Sequence, residues 1–257
     1  MNPPRVDPRV AKRRQEVARA AGRRRLRLLL VLGGVVAVFA AVGGLLVSAV
    51  FDVDRVEVQG ARHTSLAAVI GATELSERGH PMVSVDRFAL ARRVERLPWV
   101  DTASVTRRWP NVVRVRVVER RPLGVIGVPG GVALVDDSGR VLATATEAPP
   151  DTYAVAVAPG DTVPAPGQTV PAAVRGALRI LTVMSDDLAT KVEAARRLPG
   201  DPATYELGVR GGVTIRLGAA QRIPAKLAAA EAVLAAQHSP GTVIDVRVPR
   251  SPAVTRA

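Results

Sequence analysis

Cysteine is absent from the 257 residues of the chain, and aromatic residues make up only 3% of it. The first absence excludes disulfide bonds and thiolate metal sites, and it fits either an oxidising or a reducing compartment. The scarcity of aromatic rings argues against nucleic-acid binding, because single-strand binding surfaces interleave such rings with basic residues. Any function must therefore come from other side chains or from the backbone.

Familiar catalytic motifs are also missing. None of the nine serines has a lysine three residues later, and no G-x-S-x-G occurs, which argues against the common serine nucleophiles. His63, His80 and His238 are isolated, and no carboxylate cluster indicates a metal. Asp136 and Asp137 are adjacent, but such pairs in a hairpin turn usually serve the turn. We expect no catalytic residue, no metal, no cofactor and no small-molecule substrate.

The longest apolar run in the chain covers residues 28–51, which are 24 consecutive residues without charge. As a helix they would span about 36 Å, against a hydrocarbon core of about 30 Å. A cleaved signal peptide is the alternative, but its apolar region is only about 7–15 residues long. The small-residue cleavage site around Val47 to Ala49 is also poor. The run therefore predicts an uncleaved transmembrane anchor.

Charge is distributed unevenly around this anchor. Residues 1–27 hold ten Lys or Arg and two acidic residues, whereas the remainder holds 26 and 21. Because basic residues stay on the cytoplasmic side, we expect a cytosolic N-terminus and an extracytoplasmic remainder. The proline- and arginine-rich segment 1–27 predicts a disordered cytoplasmic tail beside the anionic leaflet of the cytoplasmic membrane.

The residues after the anchor predict a compact α+β module. Alternating valines indicate half-buried strands, and serine, threonine and aspartate offer helix caps. Trp109 is expected to be buried between the last two strands and the second helix. In chain order we predict a strand at 53–60, a helix capped by Thr64 or Ser65, a loop at 71–81, a helix capped by Asp86 and ended by Pro98, and two strands joined by a turn at Trp109-Pro110-Asn111.

The remaining residues predict a second α+β domain with a curved, mainly antiparallel sheet packed on one face. Its expected elements are a hairpin around 136–139, strands at 153–157 and 191–198, a helix at 171–188, a hairpin turning at 210–212, a helix from Ile223 to Leu234, and a last strand at 242–248. A proline-bearing tail follows that strand.

Two stretches make the chain similar to a known family. FDVDRVEVQGARHTS follows the anchor, and LPWVDTASVTRRWPNVVRVRVVERRPLGVI closes the first module. Both resemble the POTRA domain of the bacterial cell-division family FtsQ/DivIB. The hairpin VALVDDSGRVL and the segments VTIRLG and TVIDVRV resemble that family's β-domain. The matching positions in the first module are Leu97, Pro98, Val100, Ala103, Val105, Arg108, Trp109, Pro110, Val113, Val115, Val117, Glu119, Arg120 and Pro122.

The resemblance implies an organisation and a role. The expected parts are a tail at 1–27, an anchor at 28–51, a POTRA domain at 52–122, a β-domain at 123–250 and a flexible tail at 251–257. The implied function is a non-enzymatic scaffold of the division septum that binds FtsB (DivIC) and FtsL and helps to recruit or regulate the septal synthase pair FtsW and FtsI. A POTRA-bearing protein-translocation component and an anchored cell-wall enzyme are the alternatives.

The last strand is the expected partner site. As the final element it would leave an unpaired sheet edge, which strand addition requires. The resemblance implies that FtsB adds a strand there; the alternative is an ordinary strand paired on both sides. Pro249 and Pro252 remove two backbone donors and weaken this expectation. The candidate residues are Val243, Ile244, Asp245, Val246, Arg247, Val248, Arg250, Ser251, Ala253 and Val254.

Arginine is also frequent in the first module, at positions 92, 93, 96, 107, 108, 114, 116, 120 and 121. These residues predict a basic surface. Such a surface is either an ordinary solvated face or a contact for lipid headgroups, anionic wall polymer or an acidic partner.

Overall fold

The computed structural model describes residues 27–45, 48–75, 79–157, 162–198, 204–236 and 239–256. The first element is helix α1, Arg27–Leu45, which is long and apolar enough to cross a membrane. A short 3-10 turn follows at Ala49–Phe51. Nearly all of the basic tail predicted at 1–27 lies outside the described residues.

The module after α1 has the predicted element order. It comprises β1 (Arg55–Gln59), α2 (Leu66–Thr73), a 3-10 turn (Met82–Ser84), α3 (Arg87–Val94), β2 (Val100–Arg108) and β3 (Val112–Glu119), and its strands lie in the order β1-β3-β2. Ser65 caps α2, since its hydroxyl accepts a hydrogen bond from the Ala68 N–H. The predicted loop at 71–81 begins later than expected, because α2 continues to Thr73.

Trp109 does not lie in a core, so its predicted burial is wrong. The residue is 49% exposed, and its ring meets the Phe51 ring edge-on with 5.7 Å between centroids. The turn itself forms where the sequence predicts it, between β2 and β3. The pattern of valines predicts where in the chain the turn lies, but it does not predict whether the Trp109 ring is buried.

The rest of the chain forms a nine-stranded mixed sheet with the order β12-β11-β10-β9-β8-β7-β4-β5-β6. Among the described residues, five of the eight strand pairings are antiparallel. The strands are β4 (Gly124–Val128), β5 (Gly131–Val135), β6 (Val141–Ala145), β7 (Tyr153–Ala156), β8 (Val192–Arg197), β9 (Tyr205–Val209), β10 (Val213–Gly218), β11 (Thr242–Asp245) and β12 (Ala253–Arg256). The helices are α4 (Ala172–Thr182), α5 (Asp186–Ala189) and α6 (Ile223–Leu234).

Two predictions for this region are wrong, and one strand was missed. The helix expected at 171–188 is two helices, because α4 ends at Thr182 and Ser185 caps the separate α5. Strand β4 was not predicted. The last strand ends at Asp245 and is not terminal, since residues 253–256 of the expected tail form β12 beside it.

The main core lies on the face of the sheet that carries α4 and α6. Leu178 and Ile180 of α4 and Leu227 of α6 pack there with strand residues such as Leu207 and Ile215. Burial of such side chains contributes about 1.5–3 kcal/mol each and holds the sheet in one register. A smaller cluster of Val125, Leu134 and Leu142 has Trp99 packed against it.

The chain divides into two compact units by its internal contacts. One comprises the described residues up to Glu57 together with 75–86 and 106–114, and the other comprises 58–74, 87–105 and the residues from Val115 onward. The first unit contains α1, Phe51 and Trp109. The second contains the nine-stranded sheet and its helices.

Candidate functional site: the C-terminal edge of the sheet

The C-terminal edge of the large sheet is formed by β12. Strand β11 lies between β10, with which it is parallel, and β12, with which it is antiparallel. Within β11, Ile244 is opposite both Ile215 of β10 and Val254 of β12. The predicted free edge at 242–248 is therefore wrong, and the exposed edge lies one strand further out.

Because β11 is paired on both sides, the ten predicted partner residues fall into a buried or half-buried group and an exposed group. Ile244 and Val246 are fully buried, and the Val246 N–H donates to the Arg216 carbonyl at 3.0 Å. Val243 and Asp245 are half-buried. These four residues belong to the inside of the sheet. The members that remain exposed are Arg247, Val248, Arg250, Ser251, Ala253 and Val254.

A turn after β11 brings the chain back to form β12. The Asp245 carboxylate accepts hydrogen bonds from the Arg247 N–H at 3.0 Å and from its guanidinium at 2.9 Å. Burial alone would raise the pKa of Asp245, but these bonds lower it below its ordinary value of 3.8. The Ser251 N–H donates to the Val248 carbonyl at 3.0 Å. Pro249 and Pro252 precede β12, so neither removes a donor from it.

Val254 places an apolar side chain at this edge. Directly opposed residues share a face of a sheet, so Val254 lies on the same face as Ile244 and Ile215. Helix α6 contacts β10 and β11 on that face. Val254 is nevertheless 50% exposed. An extended segment at this edge could thus bond to the β12 backbone while its side chains cover Val254.

A row of alternating charges leads to the same edge across four strands. The buried Glu206 carboxylate accepts from Arg196 Nε at 3.1 Å and from Arg216 Nε at 2.9 Å. The register then places Asp245 beside Arg216 and Ala253 beside Asp245. Because each carboxylate has a guanidinium neighbour, the row is internally neutralised and tends to fix the strands in register.

Glu119, a residue of the family motif at the end of the first module, has a structural role. Glu119 accepts hydrogen bonds from the backbone N–H groups of Arg62, His63 and Thr64 at 2.8–3.0 Å and contacts the His63 ring at 3.0 Å. Burial would raise the pKa of Glu119, but the bonds from Thr64, His63 and Arg62 lower it from 4.5 to about 2. The His63 ring in turn stacks on Trp99 with 4.3 Å between centroids.

Arg120 joins the end of β3 to two other segments. Its Nε donates to the Val100 carbonyl at 3.0 Å, and Nη1 bonds Asp136 at 2.8 Å and lies 3.4 Å from Asp101. Asp136 also accepts from Ser138 and from the Arg140 N–H. It therefore stabilises the hairpin turn, as the sequence predicts. Among the other residues predicted as the POTRA motif, Val100 and Val105 are buried and Pro98 is half-buried. Arg108 and Pro110 are exposed.

The nine arginines of the predicted basic surface fall into two groups, those with defined partners and those with exposed side chains. Arg93 pairs with Glu74 and Arg114 with Glu57, both at 2.8 Å, while Arg107 donates to the Val85 carbonyl at 2.6 Å. With Arg120, four of the nine arginines thus have defined partners. Those with exposed side chains are Arg92, Arg96, Arg108, Arg116 and Arg121.

The described residues contain no group of three or more His, Cys, Asp or Glu that could hold a metal ion. Of the three histidines, His63 contacts Glu119, and the His80 carbonyl accepts from the Val53 N–H. His238 lies outside the described residues.

Comparison with known proteins agrees with this organisation. The family model of the FtsQ-type POTRA domain matches residues 51–120, and that of the C-terminal domain of cell division protein FtsQ/DivIB matches residues 125–247. Cell division protein FtsQ of Streptomyces coelicolor is 30% identical over 238 residues, which cover 89% of this chain and 88% of the relative.

Two further relatives carry the same description. The FtsQ protein of Mycolicibacterium smegmatis is 30% identical over 228 residues, covering 88% of this chain and 64% of the relative. That of Streptomyces collinus is 39% identical over 137 residues, covering 51% of each. The chain therefore spans about half to two thirds of the length of these two relatives. The solved extracytoplasmic domain of DivIB from Geobacillus stearothermophilus is 15% identical, covers 46% of this chain and 92% of that chain, and has a TM-score of 0.34.

Proposed function

The chain belongs to the FtsQ/DivIB family of bacterial cell-division proteins, and from that premise we propose that it is a non-enzymatic, membrane-anchored scaffold of the division septum. Helix α1 is the proposed anchor, with the N-terminus in the cytosol and the sheet domains outside. The support is the length and composition of α1 together with the ten basic residues that lie before residue 28.

The partner site is the outer edge of β12. A partner segment adds there as a further strand, bonded through the β12 backbone. The observation that carries this proposal is the strand order, which ends at β12 with no further strand among the described residues. The exposed strand offers Ala253 and Val254, and the preceding turn offers Arg247, Val248 and Arg250.

The partner has the properties that family membership suggests. It is a bitopic division protein of the FtsB (DivIC) type, with FtsL in the same assembly, and through them the scaffold recruits or regulates FtsW and FtsI. Exposed sheet edges are usually blunted in proteins that work alone. On β12 no proline interrupts the strand, and Arg256 is its only charged side chain.

Two proline substitutions test this site. Successive residues of a strand direct their N–H groups to opposite sides, so one of Val254 and Thr255 donates toward β11 and the other toward the outer edge. Val254→Pro and Thr255→Pro therefore remove one inward and one outward donor. We expect one variant to be less stable and the other to fold normally but to co-purify poorly with the FtsB-type protein.

The matched control is Thr214→Pro in the interior of the sheet, which should destabilise the protein. Melting curves separate loss of folding from loss of binding. The proposal is wrong if both β12 variants keep the wild-type melting temperature and still co-purify with the FtsB-type partner at the wild-type level.

A further inference from the structure

The Trp109 turn lies beside the point where the chain leaves α1. The Phe51 and Trp109 rings meet edge to face at 5.7 Å. The Asn111 carbonyl accepts hydrogen bonds from the N–H groups of Asp54 at 2.9 Å and Arg55 at 3.3 Å. The turn is thus fixed to the segment that immediately follows the proposed anchor.

A second segment is held at the same place. Asp52 and Pro81 form an antiparallel bridge, and the Val53 N–H donates to the His80 carbonyl at 2.9 Å. The neighbouring 3-10 turn at Met82–Ser84 is joined to the end of β2, because Arg107 donates to the Val83 and Val85 carbonyls. Residues 50–55, 80–85 and 107–111 therefore meet beside the end of the anchor; we call them the anchor-exit surface.

The length of the chain places this surface at the membrane boundary. Residues 28–45 of α1 span roughly 27 Å, slightly less than a hydrocarbon core of about 30 Å. The Ser48 N–H donates to the Leu45 carbonyl and the Phe51 N–H to the Ser48 carbonyl. These two bonds keep Leu45 and Phe51 closer together than an extended chain would. At no more than about 2 Å per residue, Phe51 lies at most roughly 12 Å beyond Leu45, which reaches the outer edge of the headgroup region.

The exposed side chains of the anchor-exit surface match that environment. Trp109 is 49% exposed, Val50 67% and Val83 37%. Arg55 and Arg108 are exposed as well. Tryptophan is enriched at membrane interfaces because its ring is apolar and its N–H is polar, and arginine reaches phosphate from an apolar stem.

We infer that the anchor-exit surface contacts the outer interface of the membrane, with Trp109 inserted among the lipid headgroups and Arg55 and Arg108 facing lipid phosphates. This contact rests on the proposed anchor. In this arrangement lipid headgroups, and not water alone, cover the half-exposed Trp109. A lipid surface is favoured over a protein partner because the three segments are tied by hydrogen bonds to the residues that follow α1.

The test uses the fluorescence of the two tryptophans in the full chain, reconstituted into vesicles of phosphatidylcholine and phosphatidylglycerol. Trp99→Phe leaves Trp109 as the only indole, and Trp109→Phe leaves Trp99, which packs against protein and stacks on His63. Spin-labelled lipids quench only indoles that reach the bilayer. We expect headgroup-labelled lipid to quench Trp109 several-fold more strongly than Trp99.

The outcomes are distinct. A chain that does not float with the vesicles overturns the anchor and this inference together. A floating chain in which Trp109 is quenched by aqueous iodide but not by spin-labelled lipid overturns the inference alone. If addition of the FtsB-type protein, and not lipid, protects Trp109 from iodide, the surface contacts protein and the inference is wrong.

A second measurement avoids any dependence on the Trp99 variant. Because the sequence has no cysteine, Trp109→Cys provides a unique position for a spin label in the otherwise unchanged chain. We expect the label to be more accessible to oxygen, which concentrates in the bilayer, than to a polar relaxation agent. The reverse order of accessibility contradicts the inference.

Discussion

The Glu119 carboxylate holds together a loop that lies 55 to 57 residues earlier in the chain. Replacing it by an amide removes the charge, and with the amide oxygen kept at the Oε1 position the NH2 group faces the His63 N–H, which now donates to Oε2 at 3.0 Å. We expect Glu119→Gln to lower the free energy of unfolding by about 2–3 kcal/mol at neutral pH. Denaturant titration of the full chain in detergent measures this, with Glu147→Gln at an exposed carboxylate as the control.

The same carboxylate gives a pH dependence. The pKa of Glu119 is depressed from 4.5 to about 2 in the folded chain, so its stabilisation is fully present above pH 4.5 and is lost as the pH falls toward 2. Wild type and Glu119→Gln should therefore differ at neutral pH and converge near pH 2. A difference that stays constant over this range would mean that the loop is held by other contacts.

The two tryptophans should differ in their contribution to stability. Trp99 packs against the cluster of Val125, Leu134 and Leu142 and stacks on His63, whereas Trp109 is half exposed. In detergent, Trp99→Ala should cost about 3 kcal/mol, and Trp109→Ala only about 1 kcal/mol, mostly from its contact with Phe51. Melting temperatures of the two variants decide this, and the opposite order would contradict the structure.

At the level of single residues, the sequence identified positions better than roles. Glu119 stood out only through the family pattern, because no local periodicity relates it to the loop at 62–64, whereas the turn at Trp109 was also predicted from the local sequence. The burial of Trp109 was expected because large aromatic rings usually fill cores. Its turn lies beside Phe51 and leaves the residue half exposed, an arrangement that no alternation of valines encodes.

Among the elements, α6 is joined to β10 by a buried lysine. Lys226 Nζ donates to the Leu217 carbonyl at 2.8 Å and to the Ala219 carbonyl at 2.7 Å. Lys226→Met keeps the apolar stem but leaves both carbonyls without this donor. We expect a loss of about 1–3 kcal/mol in unfolding free energy. Lys191→Met at an exposed lysine is the matched control, and equal midpoints for the two variants would contradict the role assigned to Lys226.

Elements with strong alternation were predicted well, and those without it were not. Strands β9 and β10 agree with the sequence because their inward residues are apolar at every second position. All four residues of β12 are exposed, so its sequence carries no such pattern. The break between α4 and α5 had a readable signal, since Ser185 followed by Asp186 and Asp187 is typical of a helix start.

For the molecule as a whole, the sequence supplied the architecture because each part has its own physical signal. An uncharged run predicts α1, and alternating strands with capped helices predict the two α+β regions. Which edge of the large sheet stays free depends on how residues 246–252 turn. That turn depends on the bonds between Asp245 and Arg247, and composition alone does not reveal them.

The proposed orientation in the membrane is a property of the whole chain, and it rests on the charge on either side of α1. Ten basic residues precede residue 28, whereas only Arg55 and Arg62 lie within about 20 residues after residue 51.

Alkaline phosphatase fused after residue 257 should be active, and a fluorescent protein fused before residue 1 should be bright in the cytosol. Replacing Arg23, Arg24, Arg25 and Arg27 by glutamine weakens the charge bias and should lower phosphatase activity per molecule. The control replaces Arg55 and Arg62 in the same way and should leave activity unchanged. High activity of a cytosol-specific reporter at the C-terminus would reverse the proposed topology, because a β12 edge inside the cell could not meet an extracytoplasmic partner.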